Sequence, residues 1–275
     1  GRLLMGAAPL SAVERIKAAS RGLRGTIVES LADPVTGGIA EDDQHLLKFH
    51  GSYQQHDRDS VDARRHAKLE PAFSFMIRTR LPGGYCTPAQ WLALDALATR
   101  HANGTLRLTS RQAFQLHGVL KGDLKPTIAA MNAALVDTIA ACGDVNRNTM
   151  CCTVDDLLPG PEQGARALTF EIADRLAPRS SAYYQVFLTD EVGKIEEPLE
   201  VDEPIYGKQY LPRKFKVGIA HPLDNSIDVL TQDVGLVPIE ASGRATRYDL
   251  YAGGGLGMTR DQPDTQALLA LHLGR

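Results

Sequence analysis

The sequence predicts an α+β protein with mostly antiparallel sheet, arranged in at least two lobes. Residues 73–80 and 103–118 alternate apolar and polar side chains with the period of a strand, and each is followed by helically spaced apolar residues. Beyond about residue 180 the pattern changes to short β-like runs punctuated by turn residues. A chain of 275 residues, 43% hydrophobic and 23% charged, can bury the core of one large or two ordinary domains.

Residues 1–70 read as an extended leader. Ser11 is a good N-cap for a short helix to about Ala19. After it, Gly37-Gly38, Gly51 and the polar run Tyr53-Gln54-Gln55 predict loops laid over another surface. The opening GRLLMGAAPLSA imitates a weak signal peptide, but Gly6 and Pro9 break its short apolar core, and the chain starts on Gly1 rather than Met.

Strand 73–80 ends in the turn signal Leu81-Pro82-Gly83-Gly84. Thr87-Pro88-Ala89-Gln90 is a capping box with proline at the first helical position. The helix it opens carries Trp91, Leu94 and Leu97 on one side, has Arg100 and His101 at its negative end, and stops at Asn103-Gly104. The two-faced strand 103–118 follows. A second helix is predicted from Pro126, with Ile128, Met131, Leu135 and Ile139 in phase, to about Gly143. Strand–helix–strand–helix at this size makes residues 71–141 half of a ferredoxin-like sandwich. A third helix spans about 162–176. Strands are then expected at 182–189, 214–220, 226–231, 234–239 and 246–251, with Ser242-Gly243 as a hairpin turn.

The strands carry the functional signal. As extended chain, 103–118 places Leu106, Leu108, Phe114 and Leu116 on one face and Arg107, Thr109, Arg111, Gln115 and His117 on the other. Arg78 and Arg80 lie opposite Phe73, Phe75 and Ile77, and Lys214 and Lys216 lie opposite Phe215 and Val217. Alternate strand residues are about 6.7 Å apart, where like charges repel by about 0.6 kcal/mol in water and about 2.5 kcal/mol at an effective dielectric of 20. One such pair is ordinarily a solvated face. Three pairs in one chain point to a cleft that holds a large anion.

Composition narrows the alternatives. A net charge of −3 and 6% aromatic residues argue against a polyanion track or a base-stacking surface. No apolar run approaches the roughly 18 residues needed to span a bilayer. Cys86, Cys142, Cys151 and Cys152 form no C-x-x-C pair and read as reduced, cytoplasmic thiols. Gly253-Gly254-Gly255-Leu256-Gly257 misses the dinucleotide spacing and reads as a tight turn or a close backbone approach to a ligand. His45, His50 and His56 lack metal-site spacing and read as surface or core residues.

The segments LRGTI (23–27), KFHGSYQQHDRD (48–59), FMIRTRLPGG (75–84), GTLRLTSRQAFQLHGVLK (104–121), NRN (146–148), LPRKFK (211–216) and YAGGGLG (251–257) occur in an order that resembles the N-terminal half of the sirohaem-dependent nitrite/sulfite reductase family. RLTSRQ with NRN is shared with nitrite reductases, whereas HGSYQQ with LPRKFK points to the sulfite branch. The resemblance implies six-electron reduction of sulfite to sulfide. Nitrite reduction, or a non-catalytic remnant binding a tetrapyrrole or oxyanion, are the alternatives.

Sirohaem carries eight carboxylates, and a cradle of cations and amide donors suits it. By resemblance, Arg107, Thr109, Arg111, Gln115 and His117 hold those carboxylates, with Asn146 and Arg213 close by. Arg78, Arg147, Lys214 and Lys216 face bound sulfite. Residues 142–275 then form part of the first sirohaem-binding domain. The family's C-x5-C and C-x3-C ligands to its [4Fe–4S] cluster have no match here, so a missing C-terminal half is expected to supply them, and this fragment alone is expected to be inactive. The electron donor stays open: residues 230–237 and the glycine run lean toward ferredoxin, and residues 78–84 toward an NADPH flavoprotein subunit.

Overall fold

The computed structural model describes residues 10–154, 157–158, 164–189, 203–239, 247–258 and 264–275. The opening residues 1–9 and the turn expected at Ser242-Gly243 lie outside them. Helix α1 (Ala12–Ala19) forms with the reciprocal capping box between Ser11 and Glu14. Residues 20–70 are not laid out as an extended leader. They fold into α2 (Ile27–Ala32), α3 (Glu41–Leu47), β1 (Ser52–His56) and α4 (Val61–His66). The polar run Tyr53–Gln55, expected as loop, is strand: β1 pairs antiparallel with β2 (Phe73–Arg78). One half-exposed face permits a strand to be that polar.

Helix α5 (Pro88–His101) has the expected box between Thr87 and Gln90. The stretch after it is a hairpin rather than one strand: β3 (Leu106–Leu108) folds back on β4 (Phe114–Val119), with Arg107 opposite Gln115. Thr109 closes the turn by accepting from the Arg111 and Ala113 amides at 3.3 and 3.2 Å. An odd number of turn residues keeps the two faces as the alternation predicts. The four strands run in the order β1-β2-β4-β3, all antiparallel. Phe75, Ile77, Leu116 and Val119 lie buried in one core with Leu94, Leu124, Ile128 and Met131 of the helices. Each such side chain contributes about 1.5–3 kcal/mol on burial.

Helix α6 (Lys121–Ala133) starts five residues earlier and stops ten earlier than its apolar phase suggests. Leu135 takes a left-handed backbone with φ 59° and points to solvent, because residues 136–147 leave the helix axis to line the sheet.

The second sheet runs β5 (Met150–Cys151), β6 (Val217–Ile219), β7 (Val234–Pro238), β8 (Tyr248–Ala252) and β9 (Leu271–Gly274), in that order. β5-β6-β7 are parallel and β7-β8-β9 antiparallel. α7 (Gly164–Arg175) covers it, its Ala165, Leu168 and Ile172 packing on Val217 and Ile219. Two expected strands fail. Residues 184–188 form a π-helical turn, held where Tyr183 Oη accepts from Asn132 Nδ2 at 2.7 Å; a short apolar run does not itself distinguish strand from buried helix. Residues 229–231 form a 3-10 turn. Asn225 Oδ1 accepts from the Val229 amide at 2.7 Å, a side-chain turn that competes with extension.

The glycine run approaches the chain itself. A Cβ on Gly254 would sit 2.3 Å from Leu230 O and 2.5 Å from Gln232 O.

Candidate functional site

The polar face of the first sheet and one edge of the second meet at the loop 140–147. Phe49 shapes that loop by accepting from the Ala140 amide at 2.8 Å. Gly143, at φ 90°, permits the turn that follows. Segment 213–216 then runs beside it: Arg147 N donates to Phe215 O at 2.8 Å and Phe215 N to Val145 O at 2.9 Å. The bridge Asn146↔Phe215 is parallel. Lys214 and Lys216 therefore flank Arg147.

Arg78 reaches the same loop from β2. It donates to Cys142 Sγ at 2.9 Å and to Ala141 O at 3.4 Å. Arg147 donates from Nε to Gly143 O at 2.7 Å and from Nη1 to Ala141 O at 3.2 Å. Arg147 is held below its usual basicity by burial, with Arg78 acting in the same direction and Cys142, Asp144 and Tyr53 opposing. Lys214 is lowered by burial and then by Arg147, Arg213 and Arg78. Lys216 is lowered by burial and then by Arg111 and Lys214. Arg78, Arg147, Lys214 and Lys216 therefore share one electrostatic neighbourhood, whereas Arg80, expected beside Arg78, donates to Ala173 O and pairs with Asp137. Asp233 opposes them: its carboxylate accepts from the Lys216 amide at 2.7 Å and supports the charge of Lys214, Lys216 and Arg111.

A chain of polar groups crosses the first sheet beside this cluster. Gln115 turns its amide oxygen to Arg78 Nε at 2.9 Å, and its amide nitrogen donates to His117 Nε2 at 3.0 Å. The His117 proton then sits on Nδ1 and is donated to Gln55 Oε1 at 3.1 Å. Burial, followed by Arg107 and Arg78, lowers the basicity of His117 and keeps the ring neutral. Arg107 itself is exposed on the edge strand.

Arg111 behaves differently from the others. It sits at the hairpin tip and binds the second sheet, donating from Nη1 to Gln232 Oε1 at 2.9 Å and from Nη2 to Val217 O at 3.0 Å. Burial, then Arg147, brings its pKa down to about 10. Among the described residues its Nε is buried without a partner. Asn146 donates to Thr149 Oγ1 at 3.3 Å and leaves Oδ1 buried without a partner. Arg213 is exposed at the rim.

Several contributors escaped the sequence reading. Gln55 was assigned to a loop, yet it fixes the His117 tautomer. Asn148 accepts from Leu81 N at 2.9 Å and donates to Leu81 O and to the carbonyls of Arg111 and Gln112, locking the hairpin tip in place. Gln112 makes a two-way bond with the Cys151 backbone at 2.6 and 3.0 Å. The NRN motif was a usable signal for Asn148, whereas nothing local marks Gln55.

The fold is thus an α+β half-sandwich joined to a mixed sheet, with cations gathered where the two meet. Residues 66–134 match the model of the nitrite/sulfite reductase ferredoxin-like half domain, and residues 142–272 that of the nitrite and sulphite reductase 4Fe-4S domain. Proteins named sulfite reductase (NADPH) hemoprotein beta-component from Myxococcus xanthus and Geobacillus thermodenitrificans are 53% and 51% identical over 97% of this chain. The chain spans 46% of the length of each. The solved NirA protein of Mycobacterium tuberculosis shares the fold, with a TM-score of 0.66 at 22% identity over 96% of this chain and 43% of its own. This chain belongs to the nitrite and sulphite reductase family.

Among the described residues no group of three or more His, Cys, Asp or Glu side chains is placed to hold a metal ion. No helix among them is long and apolar enough to cross a membrane.

Proposed function

We propose that this chain is the sirohaem- and substrate-binding half of an assimilatory sulfite reductase. The observation that carries the reading is the gathering of Arg78, Arg147, Lys214 and Lys216 around one loop, where Arg78 and Arg147 share the Ala141 carbonyl and the lysines lie on either side of Phe215, which accepts from the Arg147 amide. Such a cluster is stable when an anion sits among its members. The names of the relatives favour sulfite over nitrite, and a donor that uses NADPH over ferredoxin.

The residues present fit a polycarboxylate macrocycle. Arg107, Gln115 and His117 line the open face of the first sheet, and Arg111 Nε is a buried donor without a partner. These groups, with Thr109, Asn146 and Arg213, would hold sirohaem. For Asn146 the amide must turn, since its oxygen is now the unpartnered atom. When bound, sirohaem with its [4Fe–4S] cluster supplies the electrons, and the reading assigns the cluster's cysteine ligands to sequence outside these residues. The chain's own part is electrostatic. Arg78 and Arg147 neutralise the oxyanion, and Lys214 and Lys216, with lowered basicity, release protons readily as S–O bonds break. Hydrogen sulfite takes up six electrons and six protons to give hydrosulfide and three waters. Cys86, Cys142 and Cys152 stand as thiols, which suits a cytoplasmic setting.

The test uses the full-length, cofactor-loaded protein. Lys216→Ala should retain the sirohaem absorbance and lose sulfite turnover by about 10²–10³, the cost of removing one preorganised charge from a reacting oxyanion. A variant with full colour and full rate would exclude this site.

A further inference from the structure

Lys17 is among the most deeply buried side chains of the protein, at 2% exposure, although it belongs to the short N-terminal helix α1. Its ammonium donates to Asp144 Oδ2 at 3.2 Å and to Leu211 O at 2.8 Å. Those two residues are themselves joined, Leu211 N donating to Asp144 O at 3.0 Å. They open the two segments that run side by side into the cationic cluster, 144–147 and 211–216. Asp144 also lies within electrostatic reach of Arg147 and favours its charge. One carboxylate thus stands between two cations, and its side chain is bonded to only one of them among the described contacts.

We propose that Lys17 is a positioning residue that occupies the Asp144 carboxylate, so that Arg147 presents its free edge to an oxyanion instead of pairing with its own neighbour. The inference rests on the proposed reading of Arg147 as an anion-binding group. Arg147 already commits Nε and Nη1 to the carbonyls of Gly143 and Ala141. Its Nη2 makes no hydrogen bond among the described residues. A carboxylate and an oxyanion can each accept from that remaining edge, so Asp144 and substrate are competitors for it. A buried lysine is a firm way to settle that competition, because removing it leaves Asp144 and Leu211 O as two acceptors without a donor. The free carboxylate is then left within electrostatic reach of Arg147.

The test measures sulfite binding to the full-length, cofactor-loaded protein by isothermal titration calorimetry, with folding checked by circular dichroism. Lys17→Met should weaken sulfite binding by about tenfold, the order of one charge-assisted contact. Lys17→Met combined with Asp144→Asn should restore affinity to within about twofold, since the competing carboxylate is gone. A purely structural role for Lys17 predicts that the double variant regains its unfolding midpoint without regaining sulfite affinity, and that outcome would overturn the proposal. Asp144→Asn alone keeps Lys17 bonded to Leu211 and guards against a Lys17→Met variant that does not fold. It should bind sulfite at least as well as the parent; a tenfold loss overturns the proposal. Arg147→Lys separates the two ideas. If it binds sulfite as the parent does, the reading of the site fails and this inference with it. If it weakens binding while Lys17→Met does not, the inference alone fails.

Discussion

Arg78 and Arg147 donate to one backbone oxygen, the carbonyl of Ala141, at 3.4 and 3.2 Å. Two guanidinium groups on a single acceptor are drawn together against their mutual repulsion, and burial sharpens the cost. On the proposed reading, an oxyanion bound at the loop 140–147 would relieve that repulsion.

That geometry makes Arg147→Lys informative in the full-length protein. The charge survives, but the fork does not. The kcat/KM for sulfite should fall by about 10²-fold, and the ratio of sulfite to nitrite efficiency should shift, because pyramidal sulfite, with three oxygens, offers more acceptors to the guanidinium than the smaller nitrite. Measuring both anions decides it: unchanged values for each would remove Arg147 from the site.

Arg111→Ala tests a role that the strand pattern does not reveal. Arg111 ties the hairpin tip to Gln232 and Val217 of the second sheet. Its loss should destabilise the chain by about 3 kcal/mol, the scale of breaking buried hydrogen bonds to a charged donor. Urea unfolding of the parent and the variant measures this. A midpoint unchanged within error would make Arg111 a ligand group only.

His50 predicts a pH dependence. It is fully buried, bonds Leu23 O through Nε2 at 2.9 Å, and burial lowers its pKa to about 4. Between pH 6.5 and 4 the unfolded chain binds a proton there that the folded chain refuses, so stability falls as the pH is lowered through that window. The loss should reach about 2 kcal/mol at pH 5. His50→Gln keeps a donor and cannot titrate. Its stability should change less between pH 7 and pH 5 than the parent's, and equal slopes would refute the assignment.

The glycine run separates packing from ligand approach. Gly254→Ala places a methyl against the carbonyls of Leu230 and Gln232 and should destabilise by about 2 kcal/mol or more. Gly257→Ala meets nothing within 4 Å and should be close to neutral. Thermal unfolding of the two variants compares them directly, and similar losses would contradict the close contact at Gly254.

The sequence by itself determined what depends on near neighbours. The α5 capping box was legible because Thr87 and Gln90 bond each other across three residues. The apolar faces of β2 and β4 were legible because a strand alternates whatever it pairs with. The like-charge rows were only partly legible, since Arg80, expected beside Arg78, turns instead to Asp137 and Ala173. The tertiary structure alone decided where backbone direction changes without a local signal. Gln112 takes φ 51° inside the hairpin although it is not glycine, because Asn148 and Cys151 hold its backbone and side chain from far along the chain. Residues 184–188 coil instead of extending because Tyr183 finds Asn132 and Thr138 to bond. Gln55 joins the site because β1 pairs with β2, a choice written in neither strand alone. Lys17 reaches the cationic loop across 127 residues of sequence, and only the folded chain brings its ammonium within bonding distance of Asp144.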